Sequence, residues 1–167
     1  MDIRPLRETE LRRFVEELWL PFQRELASKT GTYELATDVD LVATETEHRR
    51  ERFADDDQRA WVAVDSTQTG PNDSEFVGFL TAETTPSPPV FERPDRVMVN
   101  DLFVHESHRG SGLADELLGR AAAWATERDA DQLSLDVHID NDRARAFYAK
   151  HGFEALRQRL VADADEI

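Results

Sequence analysis

Cysteine is absent from the 167-residue chain. Without a thiol there can be no disulfide, no thiolate metal ligand and no covalent intermediate carried on a cysteine sulfur. Any group transfer by this protein must therefore use other side chains or pass directly between two bound substrates.

Long hydrophobic runs are missing as well. No apolar stretch approaches the roughly 20 residues that a membrane-spanning helix needs, and Met1 to Glu10 lack the charged and then apolar pattern of an export signal. A chain of 167 residues has the usual size of one domain with one buried core. We therefore expect a single domain over residues 1–167, located in the cytoplasm and without a membrane partner.

Positive charge is scarce. The chain has 20 lysines and arginines against 35 aspartates and glutamates, for a net charge of −15, and its only lysines are Lys29 and Lys150. Nucleic-acid binding needs a basic face, so we expect no DNA or RNA partner. An acidic surface repels itself in dilute buffer, whereas at molar salt the Debye length falls to about 3 Å and screens the repulsion. We hypothesise a halophilic acidic surface; the alternative is a surface that attracts cationic substrates.

Histidines raise the question of a metal site. The five are His48, His105, His108, His138 and His151. Their spacing matches no metal-binding motif, so we expect no bound metal.

The stretch from Val99 to Ala125 is the most informative part of the sequence. A short apolar run of strand length leads into a turn, and apolar residues at helical spacing follow it. The turn contains two glycines, which permit positive φ angles and close approach of the backbone. The first turn of a helix adds unpaired N–H groups and a partial positive charge, so the segment predicts a cradle for a phosphate or pyrophosphate. The cradle residues are Arg109, Gly110, Ser111, Gly112, Leu113 and Ala114.

Other glycine-containing turns fit this segment less well. A dinucleotide-binding fingerprint needs a third glycine where Asp115 stands, and it normally opens the first βαβ unit of a chain. A P-loop would carry Gly-Lys-Ser or Gly-Lys-Thr, and the glycines around Ser111 have the wrong spacing for a nucleophile elbow. A strand-to-helix turn without any ligand stays open as the alternative.

Two motifs together resemble a known family. The turn, read as Arg-x-x-Gly-x-Ala, resembles the acyl-CoA-binding signature (Gln/Arg)-x-x-Gly-x-(Gly/Ala) of the GNAT superfamily of N-acyltransferases. Downstream, Asn141 to Phe153 resembles the second GNAT signature, an asparagine at a helix start followed by Phe-Tyr-x-Lys-x-Gly-Phe. The motifs stand in the usual order and at the usual separation. The resemblance is close over the C-terminal half and rests on element order in the N-terminal half.

Hydrophobic periodicity predicts the order of elements. The predicted strands lie near Ile3–Leu6, Arg59–Asp65, Glu75–Glu83, Val97–Val104, Gln132–Ile139 and Phe153–Val161. The predicted helices run from Thr9 to a kink or end at Pro21, from Asp38 or Asp40 to about Phe53, from Leu113 to Ala125, and from Asp140 or Asn141 to Gly152. Together with the resemblance, this predicts a mixed α/β fold with a twisted central sheet of about six to seven strands, flanking helices, and a splayed, bulged central strand.

For the cofactor, the resemblance implies acetyl-CoA as the acyl donor. The main-chain N–H groups of residues 109–114 would meet its pyrophosphate, and the Arg109 side chain would add charge. The pantetheine arm would pair with the backbone of Leu102, Phe103 and Val104, where a main-chain N–H would also polarise the thioester carbonyl. Asn141 matches a position that contacts the arm.

Two residues are candidates for catalysis. Tyr148 matches the family's general acid, and a tyrosine that titrates at about 10 keeps the proton that a thiolate leaving group needs. Many relatives carry Glu-Asp in the central strand where this chain has Asn100 and Asp101, and Asn100 cannot act as a base. Asp101 is then the nearest base, with Glu83, His105 or a water relay as alternatives.

These features predict an N-acetyltransferase that moves an acetyl group from acetyl-CoA to an amine in a ternary complex. The alternative is a non-catalytic GNAT-shaped module that binds or senses acyl-CoA, which the departure at Asn100 favours. The acceptor would be a small-molecule or peptide amine. Trp19, Phe22 and Tyr33 are candidate acceptor contacts that could equally be core aromatics, and a homodimer is common in the family.

Overall fold

The computed structural model describes residues 1–31, 34–66 and 74–166. The chain divides into two compact units, Met1–Asp136 and Val137–Ile167. No helix in the described ranges is both long enough and apolar enough to cross a membrane.

The first unit is built on one sheet of five strands, arranged in sequence order. They are β1 (Asp2–Pro5), β2 (Gln58–Asp65), β3 (Glu75–Thr85), β4 (Arg96–Val104) and β5 (Gln132–Leu135). The first four are antiparallel neighbours, and β5 pairs with β4 in parallel. The predicted mixed α/β fold is confirmed, but the predicted number of six to seven strands is too high for the described residues.

The difference in strand number has its source at the C-terminal end of the chain. The predicted strand Phe153–Val161 is not formed, and its apolar residues Leu156 and Leu160 are 73% and 88% exposed. A strand needs a neighbouring edge for its N–H and C=O groups, and apolar residues that face a core. Here Arg157, Gln158 and Arg159 interrupt the apolar pattern. Apolar residues alone therefore did not make this segment a strand.

Helices α1 (Leu11–Phe14) and α2 (Leu20–Thr30) are joined without a break by a π-helical turn, Val15–Trp19. Pro21 was expected to kink or end the helix, and instead the chain stays helical past it. A proline has no N–H to give to the carbonyl four residues before it, which is that of Glu17. His105 Nε2 lies 3.1 Å from the Glu17 carbonyl oxygen and fills that position. The π turn and the contact from His105 together accommodate Pro21 within a continuous helical segment.

Helix α3 (Leu41–Arg52) begins as the sequence predicts. The Asp40 side chain accepts a hydrogen bond from the Ala43 N–H at 3.0 Å, which caps the first turn. On one face of the sheet, α1, the π turn and α2 contribute residues to a core that includes Phe14, Phe79 and Phe103. On the other face lies helix α4 (Leu113–Glu127), whose apolar side is buried. Helices thus cover both faces of the sheet.

The second unit contains helix α5 (Asp142–Lys150). The Asn141 side chain accepts a hydrogen bond from the Ala144 N–H at 3.3 Å and caps the helix. Gly152 follows the helix with φ of 80°, as expected for a glycine stop.

Candidate functional site

A bulge in β4 is the starting point of the site. Thr81 of β3 stands opposite Asp101, whereas the next residue, Ala82, stands opposite Val99. Asn100 is therefore the extra residue, and it is exposed. A bulge of this kind bends the strand and re-aims the residues beside it. The predicted bulged central strand is confirmed, and its position is Asn100.

The pairing of β4 with β5 ends just before the bulge. The parallel pairing joins Arg96–Val99 to Gln132–Leu135 and extends no further in the described residues. The His105 N–H donates to the Val77 carbonyl at 2.9 Å, which fixes the antiparallel alternation against β3. By that alternation Leu102 and Val104 direct their N–H and C=O groups away from β3. The outward N–H and C=O groups of Leu102 and the outward N–H of Val104 therefore have no backbone partner among the described residues.

The cradle follows β4 after a short helical turn, Glu106–His108. Gly110 and Gly112 have φ of 75° and 87°, and a Cβ added at either would meet no atom within 4 Å. The first helical hydrogen bond of α4 is Glu116 N–H to Gly112 O, at 3.0 Å. Five consecutive N–H groups of this turn have no acceptor among the described residues. These five belong to Gly110, Ser111, Gly112, Leu113 and Ala114. An anion seat formed by these groups stays a prediction.

Arg109 differs from the expected arrangement, in which its side chain and its N–H face the pyrophosphate. Its N–H donates to the Glu106 carbonyl at 3.2 Å. Its Nε donates to the Val104 carbonyl at 2.9 Å, and its Nη2 donates to Glu25 Oε2 at 2.6 Å. The guanidinium is therefore engaged with β4 and α2. Its charge is paired by a carboxylate 84 positions earlier in the chain.

Asp101 lies directly beside the bulge and is held from β3. Thr81 donates its hydroxyl to Asp101 Oδ2 at 2.9 Å, and Arg49 Nη2 lies 3.8 Å from the same oxygen. The other oxygen, Oδ1, accepts no hydrogen bond from the described residues. Burial raises the pKa of the Asp101 carboxyl, and the Arg49 charge and the Thr81 hydrogen bond oppose that rise. The group is thus an oriented carboxylate with one oxygen available and a raised proton affinity.

Arg49 connects this carboxylate to the helical layer. Its guanidinium lies 4.9 Å from the Phe14 ring centroid and 5.7 Å from that of Trp19. Its Nε lies 2.7 Å from Glu45 Oε1, one turn earlier on α3. Two carboxylates therefore share one guanidinium that is fixed over aromatic rings. Trp19 is half-buried beside this group.

Three contributors to the site were not found from the sequence: Thr81, Arg49 and Glu25. Each reaches its partner across a long stretch of chain, and none belongs to a motif. Thr81 falls in a strand of otherwise apolar residues, where a lone threonine is unremarkable. The one signal that could have identified Thr81 is its polar side chain opposite Asp101. That signal can be used only when the register of the two strands is known.

Of the other predicted residues, Phe22 packs against Phe79 and Phe103, with ring centroids 5.8 and 5.7 Å apart. Phe22 is half-buried and packs against the core. Tyr33 lies outside the described residues. Leu102 and Phe103 lie on β4 past the bulge, where the sequence places them.

Tyr148 and Asn141 lie in the second unit. The Tyr148 ring packs against Phe147 and Phe153, with centroids 5.3 and 5.4 Å apart. The side-chain oxygen Oδ1 of Asn141 accepts the hydrogen bond that caps the helix. An amide NH2 remains on Asn141 as a donor for a ligand.

No three histidine, aspartate or glutamate side chains in residues 1–31, 34–66 and 74–166 are grouped so that they could hold a metal ion.

A family comparison matches most of the chain. The model of the acetyltransferase (GNAT) family matches residues 13–153. An uncharacterized N-acetyltransferase of Archaeoglobus fulgidus is 38% identical over 77 residues, which cover 46% of this chain and 52% of that protein. The chain spans about half the length of the curated relatives that it matches.

Solved structures share the fold over nearly the whole chain. An aminoglycoside 6'-N-acetyltransferase of Acinetobacter haemolyticus is 20% identical, with a TM-score of 0.71 and coverage of 98% of this chain and 97% of that one. A predicted acetyltransferase of Clostridium acetobutylicum, whose crystal structure contains acetyl-CoA, is 16% identical, with a TM-score of 0.72 and coverage of 99% and 97%. At these identities the likeness shows the fold alone.

Proposed function

Because the chain belongs to the GNAT acetyltransferase family, we propose that it transfers an acetyl group from acetyl-CoA to an amine by direct attack in a ternary complex. One observation carries the proposal: in the same unit, the pairing of β4 with β5 ends at Val99, and the turn that follows β4 presents five N–H groups that have no acceptor in the part of the chain that the structure describes. An extended arm with a pyrophosphate at its end fits that combination.

The donor would be held mainly by the backbone. Residues 110–114 would receive the pyrophosphate, because the positive φ angles of Gly110 and Gly112 would let successive N–H groups turn towards one anion at the start of α4. Leu102 through its N–H and C=O, and Val104 through its N–H, would pair with the amides of the pantetheine arm along β4, with Phe103 between them facing the core. A strand N–H next to the bulge would polarise the thioester carbonyl, since a fixed donor stabilises the developing oxyanion without reorganisation. Asn141 would contact the arm through its amide.

Asp101 is the base in this proposal. An alkyl ammonium must lose a proton before it can attack a thioester, and a carboxylate with a raised pKa accepts that proton better than an ordinary one. Thr81 and Arg49 both hold Oδ2, which leaves Oδ1 to face the amine. They are positioning residues, because they act through Asp101.

Tyr148 is the proposed acid for the departing thiolate. This role comes from the match to the second GNAT motif and from the ordinary proton affinity of a phenol, which exceeds that of a thiol. Inside its own unit the ring is packed between two aromatic residues, which would fix its orientation.

The acceptor in this proposal is a small-molecule or peptide amine that approaches Asp101. Glu45 lies behind Arg49 in the same cluster, so a cationic amine would meet two carboxylates and one arginine. The similarity to an aminoglycoside acetyltransferase makes aminoglycosides one class to include in a screen. A homodimer also remains part of the proposal.

A thiol-release assay tests the reaction. The purified chain is mixed with acetyl-CoA and a panel of primary amines, and free CoA is measured with a thiol reagent. The absence of cysteine removes the protein's own background from this assay. Release that depends on an amine supports the proposal, whereas calorimetry that detects no acetyl-CoA binding by folded protein refutes it.

A sensing module is the second candidate, and the exposed Asn100 at the bulge is the observation that favours it. Tight acetyl-CoA binding without CoA release across the whole amine panel would support that candidate over the enzyme.

A further inference from the structure

We propose that Glu25 is a positioning residue for the acyl donor. Through its ion pair with Arg109, it holds the cradle of residues 109–114 in the shape that receives the pyrophosphate. The inference rests on the proposed function in one respect, namely that the donor is acetyl-CoA.

Arg109 makes hydrogen bonds to three partners at the start of the cradle. Its backbone N–H binds the Glu106 carbonyl, its Nε binds the Val104 carbonyl at 2.9 Å, and its Nη2 binds Glu25 at 2.6 Å. The Val104 carbonyl points away from β3, so Arg109 occupies the last outward acceptor of the splayed strand. The side chain therefore fixes the distance between the end of β4 and the start of the cradle.

Glu25 is itself braced. Lys29, one turn later on α2, binds Glu25 Oε1 through its ammonium group, while Arg109 takes Oε2. Burial would raise the pKa of Glu25, but the hydrogen bonds from Lys29 and Arg109 outweigh it and hold the pKa below its ordinary value. Glu25 and Arg109 are each 26% exposed, so the pair is only partly open to solvent. One of the two lysines of this acidic chain is used here.

The cradle depends on such anchors because it has little packing of its own. Gly110 and Gly112 bring no side chain, and nothing lies within 4 Å of where their Cβ atoms would be. Leu113, which is 3% exposed, anchors the end of the cradle in the core. Arg109 anchors its beginning. Backbone donors bind an anion tightly only when they are held in place before it arrives.

A different role for Arg109 predicts the opposite effect of Glu25. If the guanidinium were a direct phosphate ligand, the Glu25 carboxylate would compete with the phosphate for it. Removal of that carboxylate would then free Arg109 and tighten donor binding. In the positioning role, removal of the carboxylate loosens the cradle and weakens donor binding. The sign of the change in affinity therefore separates the two roles.

The experiment measures the affinity of acetyl-CoA and of S-acetylpantetheine, which lacks the pyrophosphate, by calorimetry or competition. The variants are Glu25→Gln, Arg109→Gln and the double variant. Glu47→Gln is the matched control, because it removes a carboxylate that pairs with Arg50 on the exposed side of α3. Circular dichroism and thermal melts check that each variant is folded.

The expected result is a roughly tenfold weaker affinity for acetyl-CoA in each single variant. The double variant should be no weaker than the weaker single, because one interaction cannot be lost twice. The affinity for S-acetylpantetheine and the behaviour of Glu47→Gln should stay at the wild-type level. Glu25→Asp, which keeps the charge but shortens the reach, should show the same selective loss and serves if Glu25→Gln is poorly folded.

Unchanged or tighter acetyl-CoA binding in both Glu25 variants overturns the inference, as do additive losses in the double variant. A wild-type protein that fails to bind acetyl-CoA would instead overturn the proposed function. The two failures are therefore distinguishable.

Discussion

Thr81 donates its hydroxyl hydrogen to Asp101 Oδ2 over 2.9 Å, from the residue directly opposite on the neighbouring strand. The bulge at Asn100 lies immediately before Asp101. The one carboxylate of the bulged segment is thus oriented from the neighbouring strand β3, whose own register shift against β2 lies further along, at Val77. A side chain on a neighbouring strand can therefore orient a group that stands beside a bulge.

The first prediction concerns Asp101→Asn. We expect kcat/KM for amine acetylation to fall by about 100-fold or more, because the amide cannot accept a proton. We also expect the variant to melt at a higher temperature than the wild type at pH 7. The folded pKa of Asp101 is raised, so the folded chain holds this proton more tightly, and its stability falls as pH rises from the ordinary aspartate pKa through the folded value.

Melts of both proteins as a function of pH check this second effect. The difference in melting temperature should be greatest at neutral pH and should shrink below the ordinary pKa of aspartate, where the carboxyl is protonated in both states. Asp101 would be ruled out as the base if Asp101→Asn were as active as the wild type. The same holds if the variant were less stable than the wild type by the same amount at every pH.

The second prediction concerns the Thr81 hydroxyl. The hydrogen bond from Thr81 lowers the pKa of Asp101. Thr81→Val keeps the shape of the side chain but removes this hydrogen bond, so the pKa should rise. The acid limb of the profile of kcat/KM against pH should therefore move to higher pH. Thr81→Ser keeps a hydroxyl and should restore the profile. If valine and serine behave alike, Thr81 acts through packing alone.

The third prediction compares two glycines. A Cβ at Gly78 would stand 2.9 Å from the Phe103 carbonyl oxygen and 3.5 Å from Val104 Cα, so alanine there must push β4 away from β3. We expect Gly78→Ala to lower stability by about 1–3 kcal/mol. Gly119 lies within α4 with nothing within 4 Å, so Gly119→Ala should raise stability by up to about 1 kcal/mol. Denaturant unfolding measures both, and a harmless Gly78→Ala would contradict the close approach of the strands.

The fourth prediction concerns Tyr148→Phe. If the phenol gives its proton to the leaving thiolate, kcat should fall by about 100-fold or more while the affinity for acetyl-CoA stays nearly constant. Calorimetry and steady-state kinetics on the same preparation separate the two quantities. An equal loss in affinity and turnover would make Tyr148 a packing residue between Phe147 and Phe153.

The fifth prediction concerns salt. With a net charge of −15, the folded chain repels itself, and screening at molar KCl should raise its melting temperature above the value in dilute buffer. A thermal melt over a series of KCl concentrations measures the change. A melting temperature that does not rise with KCl would contradict the hypothesis of a halophilic surface.

Elements with strong local signals were predictable from the sequence. Helix α3 begins at the aspartate cap that the sequence offers, and the glycines of the cradle have the positive φ angles that their positions require. Such features depend on a few adjacent residues. The parallel pairing of β4 with β5 also follows from the strand, helix and strand pattern between them.

Features that depend on tertiary partners were not predictable. Pro21 alone indicates a kink, and only the distant His105 shows how the Glu17 carbonyl is satisfied. Arg109 belongs to a motif that predicts phosphate contact, yet its partner on α2 determines where its charge is used. Asp101 was predicted as the nearest base from its place in the central strand, but its orientation comes from Thr81 and Arg49.

The end of the β4–β5 pairing at Val99 also affects how copies of this protein meet one another. Past Val99, the outward N–H and C=O groups of Leu102 have no strand partner among the described residues, and such an edge can recruit a strand from another chain and begin aggregation. The surplus of carboxylates keeps neighbouring molecules apart at low ionic strength, but that protection weakens when salt screens it. A ligand bound along the edge would then protect the protein against self-association, so colloidal stability in concentrated salt should depend on the acyl donor.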